Sequence, residues 1–169
     1  MGLFLVGPMG AGKSAIGKEL ARILERPFHD TDAVIQARTG ADIGFIFDRE
    51  GEVGFRRRER DVLDELTALD DAVVATGGGA VLDADNRRHL AARGTVVYLF
   101  TSVASQVART RAGRNRPLLD TDDPEARLAA LFAVRDPLYR EVADFVVDTD
   151  GRRRAAVAEE IIGLIACNR

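Results

Sequence analysis

Gly7-Pro8-Met9-Gly10-Ala11-Gly12-Lys13-Ser14 is the stretch of this sequence that decides its fold. It fits the pattern G-x-x-x-x-G-K-[ST], whose glycines let successive backbone N–H groups turn inward around phosphate oxygens. Its context fits as well. The apolar run Leu3–Val6 leads in, and Ile16, Leu20, Ile23 and Leu24 lead out at helical spacing. A strand followed by a glycine-rich turn and a helix places the positive end of the helix dipole at the loop. Gly10, Ala11, Gly12, Lys13, Ser14 and Ala15 are therefore the expected ATP-binding residues. Lys13 would reach the β and γ phosphates, and the Ser14 hydroxyl is a potential Mg²⁺ ligand.

Outward from the loop, strand-like and helix-like runs alternate. The strand candidates are Leu3–Val6, Phe28 before His29, Val73–Ala75, Val96–Phe100 and Phe145–Val147. Apart from the Phe28 segment, which its context alone supports, these are short, continuously apolar runs, as in strands buried on both faces. Between them, Val62, Leu63, Leu66 and Leu69 share a helical face, as do Leu128, Leu131 and Phe132, and Val157, Ile161, Ile162 and Ile165. A helix is expected over Asp83 to Ala92, with Asp83 as its N-cap. The alternation predicts an α/β fold with a parallel sheet of roughly five strands and helices on both faces. Two stretches break the rhythm. Thr31 to Leu69 has helical character but no strand and reads as an inserted subdomain. Ala112 to Asp123 is polar, contains Gly113 and Pro117, and has the length of a lid loop.

Composition limits the function classes. The 169 residues suit one domain, with 46% hydrophobic and 30% charged residues. The net charge of −3 gives no general attraction to nucleic acid. No apolar run approaches the ~20 residues a membrane span needs. The opening Met1 to Val6 lacks the basic region of a signal peptide and the pattern for myristoylation, so a cytoplasmic protein is expected. Cys167 is the single cysteine, which excludes an internal disulfide. Of 24 basic residues only Lys13 and Lys18 are lysines, so a lysine inside the glycine-rich motif is there for more than its charge. His29 reads as strand packing and His89 as an exposed helix residue, and no Cys/His set suggests zinc.

Further motifs follow the loop in order: Phe28-His29-Asp30-Thr31-Asp32, Arg38-Thr39-Gly40-Ala41-Asp42-Ile43, Ile46-Phe47, Gly51-Glu52, Phe55-Arg56-Arg57-Arg58-Glu59, Ala75-Thr76-Gly77-Gly78-Gly79-Ala80, Arg116-Pro117-Leu118-Leu119 and Arg135-Asp136-Pro137-Leu138-Tyr139. In this order and spacing, from about Leu3 to Ile165, the chain resembles the shikimate kinases. The resemblance implies a P-loop NTPase fold of the nucleoside-monophosphate-kinase-like type: a five-stranded parallel sheet flanked by helices, within a single domain over residues 1–169. It also implies a substrate-binding subdomain at about 31–62 and a lid at about 112–123. The reaction implied is transfer of the γ-phosphoryl group of ATP to shikimate, on the route to chorismate and the aromatic amino acids. The implied partners are ATP, Mg²⁺ and shikimate, with no nucleic acid or membrane, acting on a monomer.

The residue roles implied by the resemblance agree with the chemistry of the side chains. Asp32 would contact the shikimate hydroxyls as base or orienting group, and Asp30 would hold Mg²⁺ through water; both could equally cap the helix beginning nearby. Arg56 and Arg135 would fork onto the shikimate carboxylate, as a planar guanidinium can, with Glu59 orienting a neighbouring arginine. Pro137 should end the helix carrying Arg135. Gly77, Gly78 and Gly79 would form the acceptor-side loop, with Gly78 offering its N–H. Arg116 in the lid would stabilise charge on the transferred phosphoryl group. Arg109 would stack near adenine, and Arg152 is the candidate contact in the loop after Asp148, where the proline common in the family is missing. A Walker B aspartate is absent here, as in that family. Two alternatives stand beside this reading: another small-molecule kinase of the same fold, and a nucleotide-binding protein without turnover.

Overall fold

The structure is a computed structural model describing residues 1–111, 119 and 121–168. Its centre is strand β1 (Gly2–Val6), buried along its whole length. β1 lies between β3 (Val73–Ala75) and β4 (Gly94–Phe100), with β2 (Phe28–Asp30) and β5 (Phe145–Asp148) at the edges. The order is β2-β3-β1-β4-β5, and every pairing is parallel. The register runs Phe4 to Val74 on one side and Phe4 to Val96 on the other.

Side chains alternate across a strand, and the sheet divides its core accordingly. Phe4, Val6, Val74, Val96 and Tyr98 join one cluster with α3 (Ile43–Thr67), α4 (Ala84–Arg93) and α6 (Pro124–Val142). Leu3, Leu5, Val73, Val97, Leu99 and Val147 face the opposite cluster, with α1 (Lys13–Leu24) and α7 (Arg154–Cys167). The remaining helices are α2 (Thr31–Thr39) and α5 (Val103–Thr110). Of the α1 face expected from sequence, Ile16 and Leu20 are buried and Ile23 is exposed. Leu69 lies beyond the end of α3 and is exposed as well.

Local chemistry sets the element ends. Asp83 caps α4, accepting from the amides of Asp85 and Asn86 at 2.8 and 3.2 Å. Asp42 caps α3 through the Phe45 amide at 2.7 Å. The long strandless stretch is α2 followed by α3, and α3 is broken at Gly51, whose φ of 69° lies in the left-handed region. A Cβ there would meet nothing within 4 Å, so the backbone conformation and not crowding demands glycine.

Two expectations are corrected. Pro137 does not end a helix: α6 continues through it to Val142. An interior proline costs about 3 kcal/mol, but the helix buries Arg135 before it and Tyr139 and Val142 after it, while Pro137 stays exposed. His89 is not an exposed helix residue: it is half-buried, with Nδ1 3.3 Å from the Asp64 carboxylate, which also receives Arg93 at 2.7 Å.

The backbones come close at the start of the sheet, where a Cβ on Gly94 would stand 2.3 Å from the Gly2 carbonyl oxygen. Gly94→Val should therefore force β1 and β4 apart. The expected loss is about 2 kcal/mol or more, read by calorimetry as a Tm lower by roughly 4–8 °C.

Candidate active site

The C-terminal ends of parallel strands are where ligands bind in open α/β sheets, and here the expected residues gather there. β1 ends at Val6 and opens into the glycine loop. Gly10 and Gly12 take φ values of 80° and 85°, the left-handed conformation that turns amides inward. The Lys13 ammonium donates to the carbonyls of Gly7 and Pro8 at 2.6 and 2.8 Å. The loop thus holds its cation where a phosphate tail would lie.

β2 ends at Asp30, which does two things at once. One carboxylate oxygen caps α2 through the Ala33 amide at 3.1 Å; the other accepts from the Ser14 hydroxyl. Capping and proximity to the loop are compatible, as the sequence left open. Asp32 follows in the first turn of α2. Thr31, between them and fully buried, accepts the Gly77 N–H at 3.0 Å and so ties the triple glycine to the start of α2.

The charged end of the site is built by α3 and α6. Arg56 donates to Glu59 at 2.9 Å and to Glu52 at 3.2 Å. The expectation that Glu59 orients an arginine is met. Glu59 is buried, and its second carboxylate oxygen has no hydrogen-bond partner. Burial pushes its carboxyl above the usual range, with Arg56 pulling the other way. Arg135 is buried on α6, and desolvation lowers its pKa. The Nε atoms of both arginines lack a protein partner. The triple glycine makes room for these groups. A Cβ on Gly79 would stand 2.3 Å from the Arg56 guanidinium, and one on Gly77 would stand 2.6 Å from Glu59 Oε2 and 3.2 Å from Asp32 Oδ1.

One cavity of about 440 Å³ joins these parts, running from Lys13 and Ser14 past Asp30 and Asp32 to Arg56 and Arg135. Gly10, Gly12, Ala15, Gly77, Gly78, Gly79 and Arg109 also line it. Ala11 and Arg152 do not. They line an adjoining cavity of about 230 Å³, which Arg109 shares. Arg109 donates to the Gly10 carbonyl at 3.0 Å and to the Thr149 carbonyl at 2.9 Å, linking the phosphate loop to the segment after β5. Arg152 donates to the Asp148 carbonyl at 2.9 Å and pairs with Glu160 at 2.5 Å. Arg116 lies outside the described residues, as do 112–118 generally and 120.

Sequence reasoning missed part of the lining. Ile43, Phe47 and Phe55 form an apolar wall beside the arginines. Tyr139, fully buried, donates its hydroxyl to the Gly78 carbonyl. Its place one helical turn after Arg135 was the available signal.

The cavity runs from the glycine loop and Lys13 to the space between Asp32 and the two guanidiniums. That arrangement, on this sheet order, defines a P-loop phosphotransferase with the nucleoside-monophosphate-kinase-like fold. Comparison with known proteins narrows the class. A family model described as "Shikimate kinase" matches residues 9–166, and the chain belongs to the shikimate kinase family, whose members phosphorylate shikimate with ATP.

The shikimate kinase of Halorhodospira halophila is 62% identical over 95% of this chain and 90% of its own length. That of Shewanella oneidensis is 55% identical over 95% and 94%. A solved shikimate kinase from Acinetobacter baumannii, in complex with shikimate, superposes with a TM-score of 0.98 at 50% identity, covering 99% of this chain and 94% of that one. A gluconokinase from Sinorhizobium meliloti, at 18% identity and a TM-score of 0.64, shares the fold. No helix among the described residues is long and apolar enough to cross a membrane.

Glu59 supplies a pH test. A carboxyl whose folded pKa is raised binds its proton more tightly in the native state than in the unfolded one. Its contribution to stability is fully present below the unfolded value and is lost as pH rises toward the folded value. Glu59→Gln should remove that loss, so wild type should fall relative to the variant as pH rises above 4.5 in urea titrations.

Proposed function

We propose that this chain moves the γ-phosphoryl group of ATP to a shikimate hydroxyl by holding the two substrates at opposite ends of the 440 Å³ cavity. The observation that carries this reading is the continuity of that space from Lys13 to Arg56 and Arg135.

On this reading the amides of Gly10 to Ala15 grip the phosphates, and the Lys13 ammonium leaves the Gly7 and Pro8 carbonyls to meet the β and γ oxygens. The flat faces of Arg109 and Arg152 flank the smaller cavity, which suits a nucleobase. Arg56 and Arg135 fork onto the acceptor carboxylate, with Glu59 fixing the Arg56 rotamer. Asp32, on the first turn of α2, accepts a hydrogen bond from the reacting hydroxyl and orients it or takes its proton. The apolar wall of Ile43, Phe47 and Phe55 covers the ring and excludes water, which would otherwise compete as acceptor. Arg116, within the lid assigned to about 112–123, is given the charge on the transferred group. The acceptor subdomain is assigned to about 31–62.

The Ser14 hydroxyl and the Asp30 carboxylate, side by side, are the all-oxygen set a hard cation prefers. Mg²⁺ held there, through water at Asp30, would neutralise phosphate charge. A monomer as the working unit and a cytoplasmic setting complete the proposal.

A coupled assay of ADP release tests the reading. ADP should form only when shikimate is present. Lys13→Ala should lower kcat by about 100-fold or more. Arg56→Ala should raise the shikimate KM at least tenfold, as expected for losing a charge-assisted contact of about 1.5–3 kcal/mol, and leave the ATP KM within about twofold. An unchanged shikimate KM in Arg56→Ala would sink the carboxylate assignment.

A further inference from the structure

We propose that Tyr139 is a positioning residue for the acceptor: its hydroxyl aims the Gly78–Gly79 peptide so that the Gly79 N–H faces the bound acid. This rests on the acceptor site assigned above.

The argument starts from burial. Tyr139 is fully buried in the larger core cluster, where a phenol needs a partner for its hydroxyl. The partner is the Gly78 carbonyl, at 2.5 Å. That carbonyl belongs to the Gly78–Gly79 peptide, which is planar and trans, so its N–H points opposite to its C=O. Pulling the carbonyl toward α6 therefore turns the Gly79 N–H away from α6. Among the described residues neither the Gly78 nor the Gly79 N–H has an acceptor within the chain. The space around Gly79 is the acid-binding end: the Arg56 guanidinium lies against its α-carbon, and Gly78 approaches Arg135 Nη1. A carboxylate held by the two arginines thus has an oriented amide within its surroundings.

The anchor is itself fixed. The Tyr139 ring packs on Tyr98 with centroids 4.9 Å apart. Tyr98 donates to Asp136 at 2.6 Å, and Arg140 holds the same carboxylate at 3.0 Å. Arg135 and Tyr139 are one helical turn apart on α6, so one helix sets both a guanidinium and a backbone donor on the same ligand. Without a carbonyl anchor the glycine peptide, free of side chains, could rotate and present its oxygen to the acid.

Tyr139→Phe keeps the ring and removes the anchor. The expected result is a shikimate KM raised about tenfold with the ATP KM within twofold. Replacing Tyr139 with 4-aminophenylalanine, which retains a para donor, should bring the shikimate KM back to within threefold of wild type. Tyr98→Phe loses a hydroxyl from the same aromatic pair without touching Gly78. It should lower Tm and raise the shikimate KM far less than Tyr139→Phe does. In the unaltered protein, NMR should show the Gly79 amide proton moving downfield on adding shikimate. That last measurement stands even if Tyr139→Phe does not fold.

A shikimate KM within twofold of wild type in folded Tyr139→Phe would overturn the proposal, as would equal KM changes in the two tyrosine variants, or a Gly79 amide unmoved by shikimate. If Arg56→Ala also left the shikimate KM unchanged, the acceptor site itself would be misplaced. If only Tyr139→Phe were silent, the positioning role alone would fall.

Discussion

The buried Glu59 carboxylate is paired with Arg56 and lies within the field of Arg135, and the acid-facing side of the cavity is organised around that group. Arg56 and Arg135 are drawn out of water by α3 and α6, while the carboxylate most deeply buried with them is Glu59. A buried charge without full compensation is expensive, and removing one partner of such a set leaves the other stranded. Desolvation lowers the pKa of Arg135 and raises that of Glu59, so burial disfavours the charged form of each. An anionic ligand completes the set. The shape of the pocket decides which anion: glycines at 77, 78 and 79 admit the guanidiniums on one side, and aromatic rings at 47 and 55 close the other. On the proposed reading, selectivity for a small cyclic acid over a nucleotide acceptor would arise from charge count and from the absence of side chains in one turn.

The phosphate end works by a different economy. Lys13 donates to the Gly7 and Pro8 carbonyls of its own loop. Binding exchanges neutral acceptors for phosphate oxygens, a stronger charge-assisted contact. Arg109 extends this loop mechanically, linking Gly10 to the segment after β5.

The sequence made the fold readable where a residue type answers to a local cause. Leu3–Val6 and Val96–Phe100 are apolar because both faces of their strands are covered, and the glycine loop has one stereochemical explanation. Asp83 as a cap needed only its neighbours. Asp32, Arg56 and Arg135 were legible through a resemblance of ordered motifs, and the structure brings them to one cavity. What escaped depends on partners remote in the chain. Thr31 serves Gly77 from 46 positions away, and Tyr139 serves Gly78 from 61. Pro137 argued locally for a helix end, and tertiary burial on both sides of it prevailed. His89 read as solvent-facing because Asp64 is brought beside it only by the packing of α4 on α3.

The break at Gly51 separates α3 into two pieces with different duties. Ile43 and Phe47 stand on the first, and Arg56 and Glu59 on the second. The apolar wall spans that break, because Phe47 on the first piece packs on Phe55 on the second with ring centroids 4.9 Å apart. Room for a bulkier or slimmer ring would therefore need matched changes on both sides of the kink, and the second of them sits directly beside the Arg56 guanidinium.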